Sequence, residues 1–327
     1  KAGVKNIITF SGNRDGMSDE DGLINCKKGL QRIMKTAERY DVTISMELLN
    51  SKVNHKDYQA DTTEWGAALC EMVGSNKFKL LFASAPERID PANTQWSIKN
   101  TPRVVAGLNN EATKAALDFY SSFCDEVYAV SSPEVAEAAK LFENTFRQVN
   151  IALVNELAQI SHALGIDVRE TLDAAGTKPY GFMKFTPSAG VGGHCIPVDP
   201  TYLAAVAEER GVPATFIRRA NEVNLEMSKY IVDRVQADNG GSLQGKSVLV
   251  VGVAYKPNVA DVRETAAELV IEHLRGRGAV VAWHDDVVGT WKGETSSPLA
   301  GADIAVVVTK HDSVKETDVI TSAPYVF

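Results

Sequence analysis

The chain has 327 residues, 44% of them hydrophobic and 23% charged, an ordinary globular composition that excludes wholesale disorder. Lys and Arg number 34 against 42 Asp and Glu, a net charge of −8, so the balance gives no support to a nucleic-acid or anionic-membrane surface. No apolar run approaches the ~20 residues that span a bilayer. At this length two or three domains are expected rather than one core. Residues 1–8 turn polar too quickly for a signal peptide, and Lys1 in place of Met suggests a start further upstream. The four cysteines, Cys26, Cys70, Cys124 and Cys195, show no CxxC pair and no zinc spacing. Free thiols in a reducing cytoplasm are the simplest expectation.

Along the chain, residues 23–40 repeat apolar side chains at helical spacing, with Leu23, Cys26, Leu30, Ile33, Met34 and Ala37 on one stripe. A buried strand is predicted over 42–49, a helix over 64–73 and a short strand over 78–82. This alternation predicts an α/β layer. Residues 84–102 hold three prolines and read as a loop or junction. A strand at 103–108, a helix at 111–123 and a strand at 126–130 follow. The longest helix then begins: Ser132 can cap it, Pro133 fits its first turn, Glu134 suits its positive end and Gly165 stops it. Its apolar stripe runs through Val135, Ala139, Phe142, Phe146, Val149, Leu153, Leu157, Ile160 and Leu164, the pattern of an interdomain spine or a dimer surface. From 247 onward, strands at 247–252, 280–283 and 304–308 surround a helix at 265–276, the layout of a doubly wound sheet. No GxGxxG turn follows any strand.

Chemistry concentrates in residues 186–203. Gly190, Gly192 and Gly193 permit close backbone approach to a ligand, and the thiol of Cys195 sits just behind them. Such a setting suits an exposed nucleophile; a Gly/Pro-rich turn with an idle cysteine is the alternative. Asp199 lies four residues on, close enough to serve a covalent intermediate. On the long helix, Lys140 and Asn144 share a face and could together hold an oxyanion, or simply be solvated.

Residues 84–327 closely resemble the nucleotide-sugar 6-dehydrogenases, the family of UDP-glucose and UDP-N-acetylmannosamine dehydrogenases. Four segments carry the resemblance, in the family's order and spacing: 85–89 (APERI), 132–144 (SPEVAEAAKLFEN), 192–200 (GGHCIPVDP) and 252–264 (GVAYKPNVADVRE). The resemblance implies NAD-dependent double oxidation of a hydroxymethyl group to a carboxylate, through a thiohemiacetal and a thioester on cysteine. By position it implies Cys195 as nucleophile, Lys140 and Asn144 as alkoxide and oxyanion stabilisers, Asp199 as activator of water, and Glu87 in an active-site loop. It also implies substrate contacts for Gly192, Gly193 and Lys256 and a cofactor contact for Arg263. Val198 stands where UDP-glucose and GDP-mannose enzymes usually carry lysine, which favours UDP-N-acetylmannosamine. A homodimer is implied as well.

Before residue 83 that resemblance stops. Residues 3–82 instead resemble the hydroxypyruvate isomerases, sugar-isomerase-like TIM barrels, through 3–14 (GVKNIITFSGNR) and 46–55 (MELLNSKVNH). Under that likeness Glu47, at a strand end, would be a metal ligand. Ala83 stands where the next ligand, an aspartate, is expected. The expected fold is therefore α/β: a partial TIM-barrel-like segment (1–82), the end of an NAD-binding domain (83–130), a central long-helix dimerisation domain with the cysteine loop (131–235), and a C-terminal Rossmann-like doubly wound sheet binding UDP-sugar (236–327). Most of the NAD-binding domain is expected to be missing, NAD binding weak and the activity impaired. A sugar isomerase and a non-enzymatic, dimeric nucleotide-sugar-binding module are the alternatives.

Overall fold

The computed structural model describes residues 4–49, 51, 55–80 and 82–327. It divides into two compact units, residues 1–90 with 94–137, and residues 91–93 with 138–327. In the first unit, β1 (Asn6–Thr9), α1 (Asp19–Tyr40), β2 (Thr43–Met46), α2 (Thr63–Val73) and β3 (Phe78–Leu80) make a three-stranded parallel sheet in the order β1-β2-β3. α1 starts four residues before the predicted stripe because Ser18 caps it, its side chain accepting from the Asp21 amide. Leu30, Met34, Ala37, Ile44, Met46, Trp65, Leu69 and Phe78 bury together and hold the helices on the sheet. A second sheet contains β4 (Ala83–Ser84), β5 (Arg103–Gly107) and β6 (Val127–Ala129), with α3 (Asn110–Tyr120) crossing between β5 and β6.

The expected partial barrel is not supported. The described strands β1 to β3 form an open sheet, and a sequential parallel order with helical crossovers serves half of a doubly wound sheet as well as an arc of a barrel. Part of the 46–55 segment that suggested a barrel lies outside the described residues. Glu47 follows β2 directly, its amide donating to Thr9 O at 3.0 Å. Among the described residues it joins no group of metal-capable side chains.

The long helix α4 (Pro133–Leu164) has the predicted ends. The amide of Val135 donates to Ser132 Oγ at 3.4 Å, and Gly165 leaves the helix at φ +69°. Much of its apolar stripe lies outward, and its covered face is largely polar or small. Val135, Phe142, Phe146, Leu153, Ile160 and Leu164 are exposed, whereas Thr145, Gln148, Ala152, Asn155 and Ser161 are buried. α5 (Val168–Gly176), α6 (Asp199–Glu209) and α7 (Thr215–Asp238) follow. The buried face of α4 meets α7 through amides: Asn155 Nδ2 donates to Asn224 Oδ1 at 3.0 Å, and Asn224 Nδ2 donates to Gln148 O at 3.2 Å. Buried polar groups are tolerated when paired in this way.

The last sheet is parallel with order β12-β11-β7-β8. Its strands are β7 (Ser247–Val251), β8 (Val280–His284), β11 (Ile304–Val307) and β12 (Tyr325–Val326), with α8 (Ala266–Gly276) between β7 and β8 and α9 (Glu316–Ser322) before β12. A small hairpin, β9 (Thr290–Trp291) with β10 (Glu294–Thr295), lies on the path to β11. β7 is central, and its run of Val248, Leu249, Val250 and Val251 is buried, as a strand covered on both faces requires. The chain crosses β7 in passing from β8 to β11, so the loops after β7 and β11 flank the switch point where open α/β sheets hold ligands. Among the described residues no helix is long and apolar enough to cross a membrane.

Candidate active site

The cysteine loop connects α5 to α6, and Cys195 is exposed on it. Its carbonyl accepts from the amides of Asp199 at 2.9 Å and Val198 at 3.2 Å, a turn that starts α6. Behind it, Asn144 Nδ2 donates to Asp199 Oδ2 at 2.5 Å. The structure thus brings Asn144, Asp199 and the Cys195 turn together. Lys140 is half-buried one turn before Asn144 on the same face of α4. The loop's start is tied to the amide pairs of the helices, because Ser188 N donates to Asn155 Oδ1 at 2.8 Å.

The glycines before Cys195 serve the protein's own packing. A Cβ at Gly193, which sits at φ +84°, would meet the Tyr255 ring at 2.9 Å. Its amide, expected to be open to a ligand, donates instead to Arg263 O at 3.0 Å. Gly192 is equally close to Glu264 O and Tyr255. The cysteine loop therefore rests on residues 255–265, which carry Lys256 and Arg263. Lys256 Nζ donates to Pro91 O at 2.6 Å. Arg263 is paired with Asp261, Nη2 to Oδ2 at 2.6 Å, which raises the Arg263 guanidinium above its ordinary value and lowers the Asp261 carboxyl. Arg263 is also within electrostatic reach of the Cys195 thiol.

Glu87 belongs to the first unit. Its Oε1 accepts from the amides of Arg88 at 2.8 Å and Ile89 at 2.9 Å, and lies 3.6 Å from Arg103 Nη1. Arg103 is buried, donates to Pro86 O at 3.0 Å and stacks over Tyr120, so the 86–89 turn is well supported. The other cysteines differ from Cys195. Cys124 is buried, and burial pushes the half-buried thiols of Cys26 and Cys70 up.

Sequence patterns missed Tyr255, Asn155, Asn224 and a buried pair after β8 and β11. Asn155 and Asn224 carry a usable signal, since an amide at a core-facing helix position normally has a partner. In the buried pair, His311 Nε2 lies 3.0 Å from Asp285 Oδ2. That oxygen also accepts from Val253 N at 2.8 Å and Ala254 N at 3.1 Å, and Oδ1 accepts from Val287 and Val288. Burial works against the Asp285 charge, yet His311 and these amides hold its carboxyl below its ordinary value. A depressed carboxyl stabilises the fold above the unfolded value of ~3.9, and this is lost as pH falls through the folded value. Asp285→Asn is therefore expected to cost ~3 kcal/mol at neutral pH, with the gap to wild type closing below about pH 4. Urea midpoints across that range check this; a gap independent of pH would refute it.

A parallel α/β architecture with an exposed cysteine on the turn that leads into Asp199 is an enzyme-like arrangement. Residues 134–226 match the central domain of the UDP-glucose/GDP-mannose dehydrogenase family, and residues 249–327 match its UDP binding domain. Protein CapL of Staphylococcus aureus is 42% identical over 205 residues, 62% of this chain and 48% of that protein. UDP-N-acetyl-D-mannosamine dehydrogenase of Methanocaldococcus jannaschii is 34% identical over 244 residues, 73% of this chain and 55% of that protein. The solved structure of UDP-D-ManNAc dehydrogenase from Pyrococcus horikoshii superposes with a TM-score of 0.67 at 27% identity, covering 90% of this chain and 71% of that one. The chain belongs to the UDP-glucose/GDP-mannose dehydrogenase family. It spans about half the length of the curated relatives it matches. A likeness over 90% of the chain extends into the first unit, so neither an isomerase-like segment nor a missing cofactor domain gains support.

Proposed function

We propose that this chain carries the sugar-oxidising site of a nucleotide-sugar 6-dehydrogenase acting on a UDP-sugar, UDP-N-acetyl-D-mannosamine in particular. The observation that carries this is Cys195, exposed on its turn with the Asn144–Asp199 pair behind it. The relatives named for that sugar and Val198 in the cysteine loop support the choice of substrate. Residues 131–235 hold the helices and the cysteine loop, and residues 236–327 hold the UDP-sugar, with Lys256 among its contacts; Gly192 and Gly193 support that site by letting the cysteine loop pack on Tyr255.

Cys195 sulfur adds to the C6 aldehyde, forming a carbon–sulfur bond while the carbonyl oxygen takes up the thiol's proton equivalent. Lys140 and Asn144 stabilise that oxygen as negative charge develops on it. Asp199 directs water at the later thioester, which releases the carboxylate and restores the thiol. Glu87 is assigned to the reaction by its match to the family's active-site loop alone.

In such an enzyme NAD, when bound, would supply the hydride acceptor for both oxidations, and Arg263 would be among the residues holding it. The first strand-to-helix turn of this chain does not suit its pyrophosphate. The first turn of α1 carries Asp19, Glu20 and Asp21, and Arg14 is already paired with Asp19 and Asp61. Negative side chains take the place at the helix N-terminus that a phosphate would otherwise occupy. The steps assigned to this chain's own residues are those that need no hydride acceptor: UDP-sugar binding, thiohemiacetal formation and thioester hydrolysis.

The test is alkylation of the intact protein by iodoacetamide, followed by mass spectrometry. The C6 aldehyde of UDP-N-acetylmannosamine should protect Cys195 at least about tenfold better than UDP does. Equal protection by both would remove the covalent chemistry.

The same reading includes a homodimer. The exposed apolar side chains of α4, Phe142, Phe146 and Leu153 among them, are the surface offered to a second copy. Each such side chain contributes ~1.5–3 kcal/mol when covered. Phe142→Glu with Leu153→Glu in the full chain is expected to weaken self-association at least about tenfold in sedimentation. A wild-type chain that sediments as a monomer at high micromolar concentration refutes it.

A further inference from the structure

Three loops meet around the buried His311–Asp285 pair at the carboxyl ends of β7, β8 and β11. Both residues are 1% exposed. Asp286 completes the group of metal-capable side chains there, but the pair has nothing left to offer a cation. Both oxygens of Asp285 accept hydrogen bonds, and both ring nitrogens of His311 are engaged. His311 Nδ1 faces the amide of Asn258 at 2.8 Å. An amide N–H can only donate, so Nδ1 is the unprotonated nitrogen, and Nε2 carries the proton donated to Asp285.

These bonds grip one loop at two places. Asp285 holds the amides of Val253 and Ala254, and His311 holds the amide of Asn258. Asn258 stands at φ +64°, and its side chain closes a ring with Asp312: Nδ2 donates to Oδ2 at 2.8 Å, and Asp312 N donates to Oδ1 at 3.0 Å. Tyr255 and Lys256 lie between the two anchors. Tyr255 is the ring against which Gly193 of the cysteine loop packs.

We infer that His311 is a positioning residue: by accepting the Asn258 amide while donating to Asp285, it holds the 253–258 loop so that Lys256 and Tyr255 are set for a bound nucleotide-sugar. This rests on the proposal that the unit binds a UDP-sugar. The loop flanks the switch point of the sheet, and an unanchored loop there must be ordered by the ligand at a cost to affinity.

Two substitutions separate the nitrogens. Asparagine places an oxygen near the Nδ1 position and keeps the acceptor for Asn258, whereas glutamine keeps a donor near Nε2 and loses that acceptor. Calorimetric titration of the full chain with UDP is expected to show His311→Asn within about threefold of wild type. His311→Gln should be about tenfold weaker, the effect of one buried hydrogen bond. In His311→Gln the Asn258 amide should exchange with solvent faster, while the amides of Leu249 and Val250 in β7 stay protected. Equal losses in both variants that follow their melting temperatures would mean a purely structural role and overturn the inference. In wild-type protein, whatever the variants do, UDP should slow exchange at Asn258, and no change there would also overturn it. If the wild-type chain does not bind UDP, the preceding proposal fails and takes this one with it. If wild type binds and both variants bind equally well, only the role of His311 fails.

Discussion

Cys195→Ser is expected to lower the rate of covalent capture of a UDP-sugar aldehyde by on the order of 10³-fold or more, because a hydroxyl is a far weaker nucleophile than a thiol. UDP affinity should stay within about twofold, since the nucleotide part is assigned to other residues. In the unsubstituted chain, Cys195 should also be the first of the four cysteines to react with iodoacetamide. It is exposed, whereas Cys124 is buried and burial raises the thiols of Cys26 and Cys70. Peptide mass spectrometry after timed alkylation reads both claims. Uniform labelling of the four, or capture that survives the serine variant, would remove Cys195 from the nucleophile role.

Gly252→Ala should have the largest effect on stability of any single methyl added to the second unit. Gly252 stands at φ +85° directly after β7, and a Cβ there would lie 1.6 Å from Thr309 O. The obstacle is backbone, and it is fixed in turn: Thr309 N donates to Val251 O at 3.2 Å. Relief requires moving the loops after β7 and β11 apart, which strips the buried Asp285 and His311 of their partners. A loss of ~4 kcal/mol or more is expected, read as a lower urea midpoint. Gly12→Ala is the control. Gly12 has a similar φ of +84° but nothing within 4 Å of an added Cβ, so only the backbone strain of ~1–2 kcal/mol should appear. Equal losses at the two positions would show that strain, not the contact with Thr309, governs Gly252.

Much of the architecture was legible locally. Ser132, Pro133 and Gly165 mark the ends of α4, and Val248 to Val251 mark a strand buried on both faces. Such signals are readable because capping and strand burial act over a few neighbouring residues. The cysteine loop was legible for the same reason: Gly193, Cys195 and Asp199 lie within seven consecutive residues. Longer-range arrangement was not legible. The apolar stripe of α4 fits an interdomain spine or a dimer surface alike, and the structure decides which side is covered: the helix buries Gln148, Asn155 and Ser161 and leaves Phe142 and Leu153 exposed. The side of a helix that is covered depends on its neighbours, and an amide face can be covered when Asn155 meets Asn224 across it.

The N-terminal segment shows the same limit. Helical and strand periodicity in residues 19–46 is clear, yet a sequential parallel sheet does not by itself say whether it closes as a barrel or remains open. Sequence alone determined the α/β class, the span of the long helix, the family resemblance and the cysteine with its glycines, because each is written in short runs of residues. Only the tertiary structure decided that Gly193 packs on Tyr255, that Asn144 reaches Asp199, and that His311 and Asp285 bind the loop of Lys256 from two sides. Those pairs lie 26 to 62 residues apart in the chain, at distances set by strand order and helix packing, and no local pattern records which side chain will stand opposite which.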